Sequence, residues 1–234
     1  MIQIPYIRHE LSFPPLQSAT DEGLLAYGGD LSADRLLLAY KSGIFPWYNS
    51  NDPILWWSPD PRLVLFTDEF ILRKSLKKRM KHFEVRYDTA FTQVMQECAK
   101  INREGQEGSW IIPEVIEAYS VLHDIGYAHS IEAWQDGELV GGLYGVCIGK
   151  MFFGESMFAK VSDASKVAFA HLIDNLKKEG FEMIDCQIPS PHLKSLGARE
   201  ISRIEFILLL ENQINKDAPP MSWKDKSQKI VTNT

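Results

Sequence analysis

Apolar and polar residues alternate through residues 130–187 in runs that predict a meander of strands. Three runs with the two-residue period of a strand follow one another: 130–134, 139–146 and 151–158. Asp136-Gly137 lies between the first two runs. An Asp-Gly pair at such a place predicts a hairpin, because glycine adopts the positive φ of the turn without steric cost. The pattern therefore predicts three consecutive antiparallel strands.

The pattern then changes to a helical period and back. Ser162 or Asp163 is the predicted cap of a helix that runs to about Lys178, and Gly180 follows its end. Residues 183–187 read as the last strand of the unit. The order strand, strand, strand, helix, strand predicts a mixed sheet covered by a long helix.

Polar residues interrupt two of these strands. In the last strand, Asp185 and Gln187 share a face because successive side chains point to opposite sides of a sheet. In the third strand, the same rule places Glu155 on one face with Phe153 and Met157. Taken singly, such residues are typical of solvated edges or strand ends. Their occurrence in one unit favours a functional site.

Residues 1–62 are rich in proline, glycine and aromatic residues. Residues 23–30 predict a short strand or turn, and Ser32 is the predicted cap of the helix that follows. The Trp- and Pro-rich stretch 53–62 has two interpretations. It can form a small aromatic core, or it can present rings on which nucleic-acid bases stack. The sequence alone does not choose between them.

A helix predicted at about 70–82 is strongly basic. Its cationic residues are Arg73, Lys74, Lys77, Lys78, Arg79 and Lys81. A solvated helix face normally mixes charges, and like charges four residues apart repel each other. In a chain of net charge −6 this cluster favours a patch that binds phosphates of a nucleic-acid backbone.

Further along, Asp88 or Thr89 is the predicted cap of an amphipathic helix that places Cys98 in the core. His123 and His129 are interpreted as polar or capping residues and not as metal ligands, because no second ligand lies at metal spacing in the sequence. We therefore expect no metal site.

Composition limits the classes of protein that fit. With 234 residues the chain can bury a substantial core. Its three widely spaced cysteines argue against a disulfide framework and favour a reducing, cytoplasmic compartment. No apolar run has membrane-spanning length, and the N-terminus lacks the pattern of a signal peptide. We expect a cytoplasmic enzyme or binding protein with no membrane partner.

These elements predict an α+β (mixed α/β) fold. We expect a small N-terminal domain at residues 1–62, a GNAT-like acyltransferase domain at 63–215 with a central mixed sheet flanked by helices, and a polar tail at 216–234. Acetyltransferases of this fold hold the pyrophosphate of acyl-CoA with a glycine-rich loop before the central helix. Residues 158–163 contain no glycine. The acyl carrier is therefore expected to be a nucleic acid and not CoA.

Several long motifs closely resemble those of the bacterial leucyl/phenylalanyl-tRNA–protein transferases. The segments that carry the resemblance are 23–32, 43–47, 54–59, 128–132, 139–146, 153–158 with 164–166, 184–187 and 195–198. They span nearly all of residues 2–214 in the family's order and spacing, and the tail is not covered. The segment 189–191 lacks an Asn that some members have near this position, and Ser202 replaces the usual Ile-Pro-Arg.

The resemblance implies a reaction and its partners. Leucine or phenylalanine, with methionine as a further candidate, would move from its tRNA to the α-amine of a protein that begins with Arg or Lys. The new N-terminus would mark that protein for degradation by the N-degron route. No cofactor is implied, and the enzyme is expected to be a monomer.

The resemblance also assigns roles to residues of this chain. Asp185 and Gln187 would be the catalytic pair, with Glu155 supporting the acceptor's site. Three aromatic residues would hold the terminal adenosine: Trp47, Trp110 and Tyr119. The pocket for the aminoacyl side chain would be lined by Leu143, Phe169, Leu172, Leu176 and Ile184. The basic helix would hold acceptor-stem phosphates.

The chemistry of the donor suggests how the pair would act. The donor is an activated ester and the acceptor is an amine of pKa about 8, so a strong base is unnecessary. Our hypothesis is that Asp185 orients Gln187, whose carbonyl oxygen accepts a hydrogen bond from the amine. A general-base role for Asp185 is the alternative. Cys186 faces away from the pair and is not expected to be a nucleophile.

Two other functional classes remain open from the sequence. A CoA-dependent N-acetyltransferase would need the missing pyrophosphate loop. A non-catalytic protein that binds tRNA or peptides would explain the tryptophans and the basic helix, but not Asp185 and Gln187 on one face.

Overall fold

A computed structural model describes residues 4–101, 109–216 and 223 of the chain. The strands are β1 Tyr6–Ile7, β2 Leu24–Gly28, β3 Phe45–Pro46, β4 Leu55–Trp57, β5 Arg62–Phe66, β6 Glu84–Tyr87, β7 Ala128–Gln135, β8 Glu138–Ile148, β9 Met151–Ala159, β10 Met183–Gln187 and β11 Arg199–Ile201. The helices are α1 Ala33–Lys41, α2 Lys74–Arg79, α3 Phe91–Ala99, α4 Pro113–Asp124, α5 Ala164–Lys178, α6 Pro191–Lys194 and α7 Arg203–Ile214. None of the helices in these described ranges is long and apolar enough to cross a membrane.

The strands form two sheets, and the α+β class predicted from the sequence is confirmed. A four-stranded sheet has the order β1-β2-β4-β3, and a seven-stranded sheet has the order β11-β5-β10-β9-β8-β7-β6. In the larger sheet β7, β8 and β9 form the predicted antiparallel meander, while β10 pairs with β9 in parallel after the α5 crossover. The sheet is therefore mixed, as expected. The division into domains at residue 62 is not tested by these contacts and stays a prediction.

Two apolar cores lie on the two faces of the larger sheet. One contains Phe153 with residues of α3, α4, α7 and the N-terminal part, and the other contains Phe152 with the buried side of α5. Gly141 lets α5 approach β8 closely, since a Cβ there would lie 2.5 Å from the Cβ of Ala164. A larger residue at this position would push the helix away from the sheet.

A β-bulge in β9 changes which residues share a face. Ser156 pairs with Tyr144 and Gly154 pairs with Gly145, so Glu155 is an extra residue without a partner in the ladder. Phe153 lies in one core and Met157 packs against the other. The prediction that both share the face of Glu155 is wrong for Met157, because the extra residue reverses the alternation beyond it.

The basic helix is shorter than predicted. The α-helix begins at Lys74, with Arg73 preceding it, and a 3-10 turn at Met80–His82 follows its end. The N–H of Ile71 donates to Leu196 O at 2.9 Å, so Ile71 is bonded to the segment after α6 and not within the helix.

Candidate active site

An apolar cavity of about 470 Å³ opens beside the middle of β9 and the end of β10. Its apolar wall is formed by Leu143, Phe152, Met157, Phe169, Ile184 and Ile188. Glu155 is the acidic residue among those that line it. A concave, mostly apolar site with few polar groups is typical of a pocket for a small apolar group.

Glu155 accepts hydrogen bonds from three side chains on different elements. Its Oε1 accepts from Tyr40 Oη and from Gln187 Nε2, each at 2.7 Å, and its Oε2 accepts from Tyr119 Oη at 3.3 Å. The hydroxyls of Tyr40 and Tyr119 also contact each other, and because each has a single proton, Tyr119 donates either to Tyr40 or to Glu155. The carboxyl group thus joins α1, α4 and β10. Tyr40 lies 115 residues from Glu155, so no local pattern could identify it as a partner.

Burial dominates the electrostatics of this cluster. Burial, opposed by the hydrogen bond from Tyr40 and assisted by the charge of Asp185, raises the pKa of Glu155 to about 7. Burial, followed by the nearby charge of Glu155, raises the pKa values of Tyr40 and Tyr119 well above the ordinary range. The two tyrosines therefore act as hydrogen-bond donors, while Glu155 is poised to exchange a proton near neutral pH.

Gln187 ends β10 in an unusual backbone conformation. Its φ is +64°, in the left-handed region that few non-glycine residues adopt. The β10–β5 ladder shifts register between Asp185 and Gln187 at the same place. Because the Gln187 side-chain amide donates to Glu155, its carbonyl oxygen is directed to the other side of the amide group.

Asp185 is fully buried and is paired with Arg62, a residue that the sequence analysis did not single out. Arg62 Nε and Nη2 donate to the two carboxylate oxygens at 2.9 and 2.7 Å. Asp185 Oδ1 also accepts from the backbone N–H of Gln187 at 2.9 Å. The hypothesis that Asp185 orients Gln187 for the amine stays a prediction, and these contacts divide the orientation of Gln187 between two carboxylates. Asp185 holds the backbone of Gln187, and Glu155 holds its side-chain amide.

The geometry does not favour Asp185 as a general base. Both of its oxygens are committed to Arg62, its side chain has no exposed surface, and it does not line the cavity. Cys186 lines the cavity, but burial raises the pKa of its thiol, with the charge of Asp185 acting in the same direction. A neutral thiol is a poor nucleophile, which agrees with the expectation from sequence.

The predicted aminoacyl residues divide into two groups. Leu143, Phe169 and Ile184 line the cavity. Leu172 and Leu176 are fully buried in the core that contains α5 and do not line it. Helical spacing does not distinguish a residue that faces a cavity from one packed deeper in the same core, and the role of these two leucines in the aminoacyl pocket stays a prediction.

The three residues predicted to hold adenosine lie in different environments. Trp47 is half-buried, and its ring centre lies 5.7 Å from that of Trp57. Trp110 is only 5% exposed and Tyr119 is not exposed. Tyr119 directs its hydroxyl to Tyr40 and Glu155, so Trp47 offers the most accessible ring of the three. Their role in binding adenosine stays a prediction.

All six basic residues around α2 are exposed. Arg79 donates to Ser162 O at 2.9 Å and lies 3.8 Å from the carboxylate of Asp163. Within the described ranges, the other five have no ion pair, so their charges face solvent. This arrangement is compatible with phosphate binding, which stays a prediction.

One cluster brings together three potential metal ligands whose spacing in the sequence did not reveal that they are close. Asp88, His123 and His129 place one potential ligand atom each within 4.8 Å of the others. However, His129 Nδ1 contacts Asp88 Oδ2 at 2.8 Å, its Nε2 contacts Gly126 O at 3.1 Å, and His123 Nδ1 contacts Ala128 O at 2.8 Å. Each of these nitrogens faces an acceptor, which describes a hydrogen-bonded network and not a set of free ligands.

The proposed cap of α3 is also corrected. Neither Asp88 nor Thr89 caps this helix through its side chain. Glu132 of β7 accepts hydrogen bonds from the N–H groups of Thr89 and Ala90 and from Thr89 Oγ1. The acceptor comes from a strand distant in sequence, which no local capping rule detects.

Sequence comparisons identify the relatives of this chain. The family model of the leucyl/phenylalanyl-tRNA protein transferases matches residues 64–211, and the model of their N-terminal domain matches residues 29–60. A leucyl/phenylalanyl-tRNA–protein transferase of Sulfurimonas denitrificans is 55% identical over 218 residues, which cover 93% of this chain and 95% of that protein. The transferase of Flavobacterium johnsoniae is 55% identical over 210 residues, which cover 89% and 99% of the two chains.

A solved structure of FemX is 11% identical to this chain, with a TM-score of 0.45, and covers 76% of this chain and 71% of that one. That likeness is too low to carry an argument. The family models and the close relatives are decisive by themselves. The chain belongs to the leucyl/phenylalanyl-tRNA protein transferase family.

Proposed function

We propose that this chain transfers leucine or phenylalanine from its tRNA to the α-amine of a protein whose first residue is Arg or Lys. Membership of the family makes the chain an aminoacyl-tRNA–protein transferase. The observation that carries the mechanism is the hydrogen-bonded pair of Glu155 and Gln187 at an apolar cavity.

The reaction forms one bond and breaks one. The amine nitrogen of the acceptor attacks the carbonyl carbon of the aminoacyl ester, and the bond from that carbon to the ribose oxygen breaks. The amine loses a proton and the leaving ribose oxygen gains one. Because the ester is already activated, holding amine and ester in the attacking geometry supplies most of the acceleration.

Gln187 is the residue that orients the amine. Its Nε2 donates to Glu155, which as an ionised carboxylate can only accept. The amide is therefore fixed with Oε1 free to accept a hydrogen bond from the attacking N–H. This fixed acceptor aligns the lone pair of the amine with the ester.

Glu155 is the residue that holds the proton released by the amine. Its pKa of about 7, which results mainly from burial, lets it take a proton at neutral pH and return it to the leaving ribose oxygen. Among the described residues, Oε2 accepts a hydrogen bond only from Tyr119, at 3.3 Å, so this oxygen has capacity for a further partner.

The cavity selects the side chain that is transferred. Leu143, Phe169 and Ile184 offer it only apolar contacts, so leucine, phenylalanine and methionine fit by chemistry while a charged side chain would lose its hydration without compensation. Trp47 stacks on the terminal adenosine, and the basic residues of α2 hold backbone phosphates of the tRNA.

The protein partners are chains that begin with Arg or Lys, and the product is recognised for degradation. The enzyme acts as a monomer in the cytoplasm, where charged tRNA is available. The acceptor, the fate of the product, the monomeric state and the cytoplasmic location follow from the resemblance of the motifs to the family.

Transfer of labelled leucine from charged tRNA to a peptide that begins with Arg tests the proposal. A peptide identical except for an N-terminal Gly is the control. Label on the Arg peptide alone supports the donor, the acceptor and the reaction class together. Label on neither peptide, with the charged tRNA shown to be intact, contradicts the proposal.

A further inference from the structure

Each nitrogen of the Arg62 guanidinium makes a hydrogen bond, although Arg62 does not line the cavity. The side chain is 1% exposed, and besides its two bonds to Asp185 its Nη1 donates to Gly43 O at 3.2 Å. All the donor-bearing nitrogens of the guanidinium are therefore engaged with protein acceptors. Such complete pairing is what keeps a buried cation from destabilising a core.

Two aromatic rings also pack against the same guanidinium. The guanidinium carbon lies 4.7 Å from the ring centre of Phe45 and 4.6 Å from that of Phe206. Gly43 and Phe45 belong to the N-terminal part, Phe206 to α7 and Asp185 to β10. Arg62 thus connects three parts of the chain at the back of the candidate active site, and a planar group is required to do so.

Asp185 links Arg62 to Gln187 in the candidate active site. Asp185 Oδ1 accepts both Arg62 Nε and the backbone N–H of Gln187, each at 2.9 Å. The accepted N–H belongs to the residue whose φ is +64°. That backbone conformation in turn directs the side-chain amide of Gln187 to Glu155.

We propose that Arg62 is a positioning residue for aminoacyl transfer. It fixes the carboxylate of Asp185, the carboxylate fixes the left-handed backbone of Gln187, and this backbone aims the amide that receives the amine. Arg62 touches neither substrate. The predicted loss of kcat rests on the proposed function, whereas the predicted movement of Gln187 does not.

The chain supplies a matched control in Arg35. It is also 1% exposed, pairs with Asp30 at 3.2 Å and donates to the backbone carbonyls of Arg8, His9 and Glu10. None of these partners lines the cavity. Replacing Arg35 removes a buried guanidinium without disturbing Gln187.

The kinetic test compares Arg62→Met, Arg62→Lys and Arg35→Met. In folded Arg62→Met we expect kcat to fall roughly 100-fold while KM for charged tRNA changes less than about threefold, because a small misplacement of the aligning group affects the chemical step. Arg62→Lys keeps the charge and should recover part of the loss. Arg35→Met should lower Tm and leave kcat of the folded enzyme unchanged.

An unchanged kcat in folded Arg62→Met overturns the proposal, and so does an equal loss of kcat in Arg35→Met. Should Arg62→Met fail to fold, Arg62→Lys decides alone. One ammonium cannot bind both oxygens in the guanidinium geometry, so a kcat lower by about tenfold at unchanged KM supports the proposal. A wild-type kcat in this variant overturns it.

A crystal structure of Arg62→Lys provides a readout that needs no activity. We expect Gln187 to leave the left-handed region and its amide to separate from Glu155. An unchanged Gln187 overturns the inference whether or not the enzyme transfers leucine. A displaced Gln187 in a protein whose wild type transfers nothing would support the positioning contact while contradicting the proposed function.

Discussion

Two buried glutamates on the larger sheet have different surroundings. Glu132 on β7 is fully buried, and burial raises its pKa against the hydrogen bonds from Ser130 and Thr89. Glu155 on β9 is also buried with a raised pKa, but it borders a cavity. Burial and a shifted pKa are therefore shared by both residues and do not by themselves identify a functional group.

The groups that donate hydrogen bonds to the two carboxylates explain why Glu132 and Glu155 differ in role. Glu132 accepts from two peptide N–H groups at the start of α3 and from the hydroxyls of Ser130 and Thr89, so it completes a helix terminus where a negative charge is stabilised. Within the part of the chain that the structure describes, Glu155 accepts only from side chains, on α1, α4 and β10. The first carboxylate is committed to structure, and the second can exchange partners with a substrate.

Glu155→Gln is expected to have the largest effect. The glutamine oxygen can still accept from Tyr40 and Gln187, so the change removes proton exchange while keeping the orientation of Gln187. We expect kcat for leucine transfer to fall about 100-fold with little change in KM for tRNA, measured by steady-state kinetics. A kcat within about threefold of wild type would restrict Glu155 to orienting Gln187.

The pH dependence follows from the same pKa. Since the carboxylate is the form that takes the proton, kcat at saturating peptide should fall as pH is lowered through about 7, approaching tenfold per unit below it. Glu155→Gln should lack this limb. A wild-type profile that is flat between pH 6 and 8 would argue against proton transfer to Glu155.

The contribution of Glu155 to stability should increase as pH is lowered, whereas kcat should decrease. The folded state keeps the Glu155 proton up to about pH 7, whereas the unfolded chain releases it near the ordinary value of 4.5. The contribution of this group to the free energy of unfolding is therefore present at low pH and lost as pH rises between these values. Urea unfolding should show this loss in wild type and not in Glu155→Gln.

Glu132→Gln tests whether the carboxylate at the start of α3 has a structural role alone. An amide N–H₂ would face donors that now meet a carboxylate oxygen, so we expect the free energy of unfolding to decrease by about 1–3 kcal/mol, measured by urea denaturation. The kcat of the folded variant should equal that of wild type. A loss of kcat comparable to that of Glu155→Gln would remove the distinction between the two sites.

Cys186→Ala is expected to have the smallest effect. The thiol lines the cavity, but its pKa is raised by burial and it makes only a 4.0 Å contact with Ile184 O. Leucine transfer should stay within about twofold of wild type, because a neutral thiol does not attack the ester. Loss of transfer together with reaction of wild-type Cys186 with the aminoacyl group would indicate covalent catalysis instead.

The corrections to the sequence analysis have a common origin. The positions of α5, β10 and the β7–β9 meander were predictable because each follows a local period. The face of Met157 was not, since the single extra residue at Glu155 has no signature in the alternation. Leu172 and Leu176 likewise satisfy the helical period of α5 whether they face a cavity or a filled core.

By itself, the sequence determined the order of elements, the α+β class and the presence of Glu155, Asp185 and Gln187 within one unit, because strand and helix periods and turn residues act over a few positions. Only the tertiary structure decided what each polar group contacts. Arg62 and Asp185 are 123 residues apart, and Tyr40 and Glu155 are 115 apart. In both pairs, burial makes the partner obligatory, but the partner's identity is fixed by the packing of distant segments.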